Sequence, residues 1–472
     1  MGDEAVRMTE ANVATKKAEE QPMLKMAETS APYRMKMSQP NVFLPKLMFF
    51  LTSSSTKDHD MKNWADCFDM KAGAVYLTII GQNANEKTLN DARYLLKAIA
   101  YFIITGEKGH TEDPNTEIEK KPEDLTPENK LAIDAVYLVV GFLHDINKNA
   151  RNPISFDREN LDKYCQSKHG AHVLSDIAML DNQLRLDCIT KVVETLQKAL
   201  QSTKDHFPSP SKDSSRKEKL LQGTNISSLE KFKLSFNKNI SEVASVFCWY
   251  YTPFYIDFKK IPSNKLASLL SDEKGSLLSD IDKTLLECLH HCIVPSGTNN
   301  SSSTGVGPVL TAKELRRNGV RLEASTDQLF AVEFKEPTLK LPVLFWDSKM
   351  ETVVLNLVAL ESSRTTRPVT RYLQLLNELV EDEGDVKVLK RCGILKGKWK
   401  RDEEVVNFVK RVDGFASYPS MYTNVDDEMD KVKKYIDERN NRFLVKYSWV
   451  PYAAAAATVI VTAMVATKRR GS

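Results

Sequence analysis

The sequence lacks the short motifs that mark the commonest enzyme classes. None of the patterns G-x-S-x-G, G-x-x-x-x-G-K-S/T, G-x-G-x-x-G or H-E-x-x-H occurs in its 472 residues. These patterns build a nucleophilic serine, a phosphate-binding loop, a dinucleotide-binding loop and a zinc-protease site. The sequence therefore gives no support to those four enzyme classes, and we expect neither a cofactor nor a catalytic residue.

A strong net charge and a dense set of cysteines are also missing. The 66 Lys and Arg residues nearly balance 63 Asp and Glu residues, which is too even for a protein that neutralises many phosphates. We therefore predict no nucleic-acid partner. The seven cysteines are scattered and odd in number, unlike the disulfide framework of a small secreted domain. They are typical of reduced thiols in a cytosolic protein.

Long hydrophobic runs are rare, and the first 39 residues contain none. These residues mix acids with bases, which fits neither a secretory signal nor an acid-poor transit peptide. We predict that residues 1–39 are disordered.

One uncharged run, residues 450–467, stands out near the C-terminus. A helix needs at least ~17 apolar residues to cross a bilayer, and this run reaches that length only with help from its flanks. Those flanks carry interfacial aromatics, a helix-starting proline and a basic stop: Trp449, Pro451, Tyr452, Lys468, Arg469 and Arg470. We predict a single transmembrane helix over 447–467, a basic tail over 468–472 and a lipid-bilayer partner. An alanine-rich core helix is the alternative.

Between these ends the pattern predicts an α+β fold that is predominantly α-helical. A small antiparallel β-meander in the C-terminal half is expected from alternating residues in VRLEA, LFAVEF and LKLPVLF. The predicted divisions are a helical N-terminal half (40–201), a polar linker (202–222), a helical segment (223–294), a flexible loop (295–310), the meander (311–346) and a helical C-terminal part (347–446).

Several helices can be placed from their caps and periodicity. Thr126 caps a helix with Pro127 at its first position, and the apolar residues that follow predict a buried central helix. A second helix is predicted over residues 175–199. Pro368 opens another, which we expect to end at Gly384.

Asp385 and Asp402 are candidate N-caps for the next two helices. The last soluble helix is expected to begin near Asn424 with acidic residues.

Several blocks, taken in order and spacing, resemble the plant domain of unknown function 247 family. The C-terminal blocks are AKELRRNGV, the strands ending in LKLP, NLVALE, Tyr372, DVKVLKRCGI and DEEVVNF, followed by the predicted terminal helix. Upstream, IDAVYLVV and DIAMLDNQL are similar to two further family blocks. Where the family usually has Ile-Gly-Pro-Tyr-His-His-Gly, this chain has Ile80-Gly81-Gln82-Asn83, so it is a diverged member that lacks the histidine pair.

The resemblance implies a single-pass, membrane-anchored plant protein with no established enzymatic activity, some of whose relatives act in grass self-incompatibility. It implies an interaction or recognition role with a protein partner. We expect the residues shared with the family to be structural rather than catalytic, because buried polar groups can bridge helices. They are Asp134, Tyr137, Asp176, Asp181, Asn182, Gln183, Glu314, Leu315, Gly319, Pro342, Asn356, Glu361, Tyr372, Asp385 and Gly393.

An enzyme remains as an alternative hypothesis. His144 and Asp145 follow the buried helix, and together with His110, His169, His172 and Asp176 they could form the metal site of a helical phosphohydrolase. The group Cys288, His290, His291 and Cys292 resembles half of a zinc site, although buried thiols explain it better. Our preferred interpretation has no metal site.

A basic run from Lys396 to Arg401 surrounds Trp399. It could touch anionic lipid or an acidic partner, but we interpret it as a solvated loop.

Topology is predicted from two conflicting signals. The basic tail favours the cytoplasmic side by charge bias, whereas no signal peptide would carry the large body across the membrane. A terminal helix emerges only after synthesis ends, so we expect post-translational insertion into a plasma membrane or endomembrane with the body in the cytosol.

Overall fold

The computed structural model describes most of the region between Trp64 and Tyr447. The described residues are 35, 64–65, 67–81, 83–86, 88–105, 120–150, 158–180, 182–201, 240–255, 283–294, 309–325, 330–415 and 424–447. The predicted disordered N-terminus, the linker at 202–222 and nearly all of the loop at 295–310 lie outside them.

Helices dominate the described residues, as the sequence predicted. Up to residue 317 they are α1 (Phe68–Ile80), α2 (Leu89–Thr105), a 3-10 turn (Pro122–Asp124), α3 (Pro127–Val136), a π-helix (Tyr137–His144), α4 (Asp145–Ala150), α5 (Arg158–His169), α6 (Ala171–Ile177), α7 (Leu186–Gln201), α8 (Ile240–Tyr251), α9 (Leu285–Ile293) and α10 (Ala312–Arg317).

The remaining elements include five short strands. They are β1 (Arg321–Ser325), β2 (Glu333–Lys335), β3 (Thr338–Pro342), β4 (Leu344–Trp346), α11 (Met350–Glu361), α12 (Pro368–Leu379), α13 (Glu383–Arg391), β5 (Leu395–Gly397), α14 (Asp402–Phe415) and α15 (Asn424–Tyr447).

The chain forms two compact units. The first takes Met1–Pro253, Asp257–Ser296 and Phe345–Arg364, and the second takes Phe254–Ile256, Gly297–Leu344 and Thr365–Ser472. Among the described elements, α1 to α9 and α11 belong to the first unit, while α10, β1 to β3, β5 and α12 to α15 belong to the second. We describe each unit by itself.

The centre of the first unit is the predicted buried helix. The side chain of Thr126 accepts a hydrogen bond from the amide of Asn129, and Pro127 occupies the first turn, which confirms the predicted cap. Every residue from 129 to 147 is buried. An apolar segment with no exposed face must be surrounded by other elements, and α1, α2, α7 and α8 all contact α3 or the π-helix that follows it.

The π-helix departs from the regular α-helix that the sequence predicts here. Its eight residues, Tyr137–His144, are all buried. A Cβ on Gly141 would lie 2.8 Å from the ring of Tyr137 and 3.3 Å from the side chain of Val75 in α1. The missing side chain of Gly141 therefore makes room for the tyrosine ring of its own turn and for the neighbouring helix.

The single helix predicted over residues 175–199 is wrong, because the structure contains two helices there. The first, α6, ends at Ile177, and α7 begins at Leu186. The last carbonyls of a helix have no partner within it. Here the side chains of Asn182 and Gln183 donate to carbonyls at the end of α6, so local amide groups replace the next helical turn.

In the second unit the predicted antiparallel meander is also wrong. The sheet order is β1-β3-β2, with β1 parallel to β3 and β2 antiparallel to β3. Leu322 of β1 and Phe334 of β2 both pair with Leu339 of β3, and all three are buried. The alternating pattern identified strands with one buried face, but it carries no information on which strand lies in the middle.

Two helix boundaries differ from the sequence prediction. Helix α12 begins at Pro368 as predicted, but it ends at Leu379 rather than at Gly384. The next helix is capped by Asp382, whose carboxylate accepts from the amides of Gly384 and Asp385. Asp385 instead completes a capping box as the third helical residue, because either aspartate of a D-x-x-D pattern can be read as the cap from sequence alone.

The last described helix, α15, begins at Asn424 as predicted and has Asp426 and Asp427 in its first turn. Within the part of the chain that the structure describes, no helix has the length and apolar character needed to cross a bilayer. The predicted transmembrane residues from 448 onward, including Trp449, Pro451, Tyr452 and the basic tail, lie outside that part.

Packing around Gly141 generates a stability prediction. Ala normally favours a helix over Gly by about 1 kcal/mol, but in Gly141→Ala the added methyl must displace the ring of Tyr137. We expect a net loss of roughly 1–3 kcal/mol, typical of an overpacked core, measured by chemical denaturation.

The matched control is Gly414→Ala in α14, where nothing lies within 4 Å of the new methyl. This variant should be neutral or slightly stabilised. Equal stability of the two variants would show that the Gly141 contact does not constrain the π-helix.

Candidate functional site

Asp134 accepts two hydrogen bonds at the core of the first unit. Lys71 Nζ of α1 donates to its Oδ1 at 2.6 Å, and Trp64 Nε1 donates to its Oδ2 at 3.0 Å. The side chains of Lys71 and Asp134 are fully buried, and the ammonium lies 4.8 Å from the indole centroid. The carboxylate thus has a charged partner and a neutral one, and it ties α1 to α3.

The thiol of Cys67 lies beside this pair. It donates to the carbonyl of Trp64 at 3.2 Å. Burial raises the pKa of Cys67 to about 11, against the opposing effect of the Lys71 charge. Because the thiolate is the nucleophilic form, Cys67 stays protonated and unreactive at neutral pH.

Tyr137 and His169 form a second buried polar contact. The Tyr137 hydroxyl and His169 Nδ1 are 2.6 Å apart, and neither residue is exposed. Burial lowers the pKa of His169 and raises that of Tyr137 well above its usual range. A neutral imidazole that accepts from the hydroxyl at Nδ1 carries its proton on Nε2, which lies 3.8 Å from Asp145 Oδ2.

Asp145 has two partners that lie closer to it than His169 does. Lys168 Nζ lies 2.9 Å from its Oδ2, and the Tyr164 hydroxyl donates to the same oxygen at 3.1 Å. Burial raises the pKa of Asp145, but its contacts with His169 and Lys168 outweigh burial and lower it overall. Asp145 is therefore ionised at neutral pH and joins α4 to α5.

Asp162 accepts from four side chains in the core of the first unit. Lys349 Nζ is 3.1 Å from its Oδ1, and Gln166, Ser348 and Tyr250 also donate to the carboxylate. Burial raises the pKa of Asp162, but Lys349 and these hydrogen bonds lower it overall. This carboxylate connects α5 and α8 to the start of α11.

Lys349 in turn contacts a second carboxylate. Its ammonium pairs with Asp347 at 2.5 Å and lies 4.2 Å from the ring of Tyr250. Arg158 of α5 is 3.5 Å from Asp347, and its guanidinium lies 4.8 Å from the centroid of Phe345. The result is a chain of alternating charges, Asp162–Lys349–Asp347–Arg158, in which each member contacts the next inside the unit.

Side-chain amides from the family-like blocks join distant segments. Asn356 of α11 accepts from the amide of Leu180 at 2.7 Å. The Gln183 Oε1 accepts from the amide of Leu286 in α9 at 3.1 Å, and Asn182 donates to the carbonyl of Asp176. All of these amide side chains are buried, so each satisfies backbone groups that water cannot reach.

Glu361 and His290 form a further buried contact. His290 Nε2 lies 2.8 Å from Glu361 Oε1, and Arg364 donates to His290 Nδ1 at 2.9 Å. Because Arg can only donate, Nδ1 is the acceptor and Nε2 carries the proton that faces the glutamate. The ring of His290 is thus held by Glu361 at the end of α11 and by Arg364 just after it.

The remaining family-type residues lie in the second unit. The Tyr372 hydroxyl donates to the carbonyl of Pro342 at 2.7 Å. Glu314 completes the capping box of α10, and Asp385 accepts from the amide of Lys313 at 2.9 Å. Gly393 follows α13 with a φ of 73°, a left-handed conformation that suits glycine.

Gly319 has the closest approach of the family-type glycines. Its φ is 82°, and a Cβ there would lie 1.5 Å from Nη1 of Arg439 in α15. The adjoining surface is a groove of about 330 Å³ between α10 and α15, into which the buried residue Leu315 contributes together with Met429, Val432 and Ile436. Glycine at 319 therefore leaves space for the guanidinium beside this groove.

The structure brings few of the phosphohydrolase candidates together. His169 approaches Asp145, but His172 is exposed and His144 lies in the buried π-helix. Across the described residues no group of three His, Cys, Asp or Glu side chains could hold a metal ion. His110 and Asp181 lie outside the described residues.

Sequence reasoning missed the cations of the buried ion pairs. Lys71, Lys349 and Arg371 are buried, and each meets one or more carboxylates. A lysine inside an otherwise apolar helix, such as Lys71 in FDMKAGAVYLTII, is the one available signal, because an unpaired buried ammonium would be costly.

The Lys71–Asp134 pair generates a second prediction. Lys71→Met leaves Asp134 buried without its cation, which should cost roughly 3–5 kcal/mol of stability. Adding Asp134→Leu removes the stranded charge, so the double variant should be more stable than Lys71→Met alone. Chemical denaturation of the two single variants and the double variant measures the coupling, and strictly additive losses would contradict it.

His169 generates a prediction of pH dependence. Its pKa in the folded protein is lowered from the ordinary 6.5 by burial, so the unfolded chain binds the proton more readily. Stability is then full above about pH 6.5 and falls as the pH drops through the folded pKa.

The variant His169→Gln should lose this part of the pH dependence, while the exposed control His172→Gln should keep it. Thermal melts between neutral and mildly acidic pH measure both. A melt of His169→Gln that follows the wild type at every pH would refute the assignment.

Comparison with known proteins identifies the family. The profile of DUF247, described as a plant protein of unknown function, matches residues 115–467. A putative UPF0481 protein of Arabidopsis thaliana is 34% identical over 99 residues, which are 20% of this chain and 19% of that relative. No solved structure matches the chain. Since the family profile covers most of the sequence, this chain belongs to the DUF247 family of plant proteins of unknown function.

Proposed function

We propose that this protein is a membrane-anchored interaction module without catalytic activity of its own. The observation that carries the proposal is that the charged side chains of the first unit pair with one another in its interior. Asp134, Asp145 and Asp162 each face a lysine inside the protein. A catalytic carboxylate must be able to reach a substrate, whereas these groups join one helix to another.

The potential nucleophiles support the same proposal. Burial raises the pKa of Cys165 and of Cys288 to about 12, and it raises the pKa of Tyr251 well above its usual range. Thiols and hydroxyls in this state are protonated at neutral pH and react slowly. They serve as packing groups in the unit.

The proposed anchor is the uncharged run at residues 450–467. Its length, the aromatic residues Trp449 and Tyr452 and the cations from Lys468 to Arg470 match a short spanning helix with an interfacial belt and a basic end. We propose insertion into a plasma membrane or endomembrane. The body is proposed to remain in the cytosol, since none of the seven cysteines forms a disulfide.

The proposed partner of the anchored body is another protein. Family membership supports a plant setting, and some DUF247 relatives act in self-incompatibility, as the resemblance noted above implies. Neither the family description nor the name of the Arabidopsis relative assigns an activity. A recognition role is thus the proposal that agrees with both the buried charges and the family.

The anchor is tested with the full chain carrying Ile460→Asp and Met464→Asp. A carboxylate at the centre of a spanning helix costs about 2.5–3.5 kcal/mol, so two should prevent insertion. We expect wild type to stay with membranes after carbonate extraction and the double variant to move to the supernatant.

A matched control places the same two charges on α15 as Asn440→Asp and Asn441→Asp, at exposed positions. This control should remain carbonate resistant. Extraction of the wild type, or membrane retention of the Ile460→Asp, Met464→Asp chain, would rule out the proposed anchor.

A further inference from the structure

The second unit contains an unusually basic stretch. Residues 387–401 include seven lysines and arginines and no acid, whereas the whole chain carries a net charge of only +3. The stretch covers the last turn of α13, strand β5 and the connection to α14. Its charge therefore comes from three consecutive pieces of backbone rather than from one helix face.

The fold gathers these cations beside an aromatic ring. Lys390 of α13 lies 4.6 Å from the ring of Trp399, and Lys396 of β5 lies 4.3 Å from the ring of Tyr255. The first contact joins the end of the helix to the loop that follows β5. Arg391, Lys398, Lys400 and Arg401 are exposed around it. We call Lys390, Arg391, Lys396, Lys398, Lys400 and Arg401, with Trp399, the basic surface.

Nearby acids offset this charge only weakly. Lys387 pairs with Glu383 at 3.8 Å and Arg401 pairs with Glu403 at 3.4 Å, and all four side chains are more than half exposed. Exposed pairs of this kind contribute little and are screened by salt. Asp402 accepts from the Trp399 indole at 2.7 Å. Burial raises the pKa of the neighbouring Cys392, Arg316 opposes this rise, and Glu323 adds to it.

We infer that the basic surface binds the anionic headgroups of a membrane. A sheet of phosphate and carboxylate groups needs no single fitted shape, which suits cations spread over a helix end, a strand and a loop. Tryptophan favours the headgroup region, and Trp399 lies among the cations. The even charge of the chain as a whole argues against RNA, which is bound mainly by neutralising many phosphates.

This inference rests in part on the proposed anchor, since a chain held by residues 450–467 keeps its basic surface close to lipid. A body in the cytosol would face the leaflet that is rich in anionic lipids. Binding at the basic surface would then fix which side of the second unit lies against the membrane.

The test uses the full chain with Ile460→Asp and Met464→Asp, so that vesicle binding does not depend on insertion. Binding to phosphatidylcholine vesicles and to phosphatidylcholine–phosphatidylserine vesicles is measured by co-sedimentation. Each cation near an anionic surface strengthens binding roughly fivefold. Lys398→Gln, Lys400→Gln and Arg401→Gln together should therefore weaken binding to the serine-containing vesicles about 100-fold.

The matched control is Lys433→Gln, Lys434→Gln and Arg442→Gln on α15. It removes the same charge from exposed positions, and Arg442 has a glutamate partner at 3.4 Å as Arg401 does. The control should bind like its parent, and both triple variants should melt like their parent. Binding should also require phosphatidylserine and weaken with added salt.

Three results would overturn the inference. They are equal loss of binding in both triple variants, equal binding to both kinds of vesicle, and loss of RNA or polyglutamate binding in the Lys398→Gln, Lys400→Gln, Arg401→Gln variant while its vesicle binding is unchanged. Failure of the anchor is seen separately, as carbonate extraction of the wild-type chain, and leaves the vesicle measurement unchanged.

Discussion

Burial of charge is the constraint on which the first unit depends. Lys71 and Asp134 lie in the core without contact with water, where either group alone would be strongly unfavourable. Their pairing requires α1 and α3 to adopt one relative position. The indole of Trp64 donates a hydrogen bond to the second oxygen of the carboxylate. A shift of α1 against α3 that apolar side chains would tolerate is therefore strongly destabilising, because it would separate the buried charges.

The same constraint acts on backbone groups where helices stop. Asn182 and Gln183 satisfy carbonyls at the end of α6, and Gln183 also binds the start of α9. Asn356 receives the amide of Leu180 from a segment 176 residues away in sequence. Polar residues thus define the ends and neighbours of the helices, while the apolar residues supply most of the buried area.

This division explains what the sequence could predict. Caps and periodicity are local, so Thr126, Pro368 and Asn424 correctly marked helix starts, and the buried segment 131–143 was recognised by its composition. The break before Leu186 depends on side chains that bond back to α6, and the order β1-β3-β2 depends on which strand finds which partner. The cations Lys71, Lys349 and Arg371 were missed because each has a carboxylate partner far away in sequence, namely Asp134, Asp162 and Asp426.

Buried and exposed charges play different parts in this protein, and the difference bears on function. In the interior of both units cations face carboxylates, as Lys71 faces Asp134 in the first and Arg371 faces Asp426 in the second, and the pairing is fixed by the fold. On the surface of the second unit the cations of residues 387–401 are mostly exposed, and their summed positive field attracts external anions. Side chains in internal ion pairs stabilise the fold, whereas a cluster of exposed cations attracts a negatively charged surface. Internal pairs that preserve a shape and an exposed basic surface are thus the two features on which the proposed recognition role and the proposed membrane contact rest.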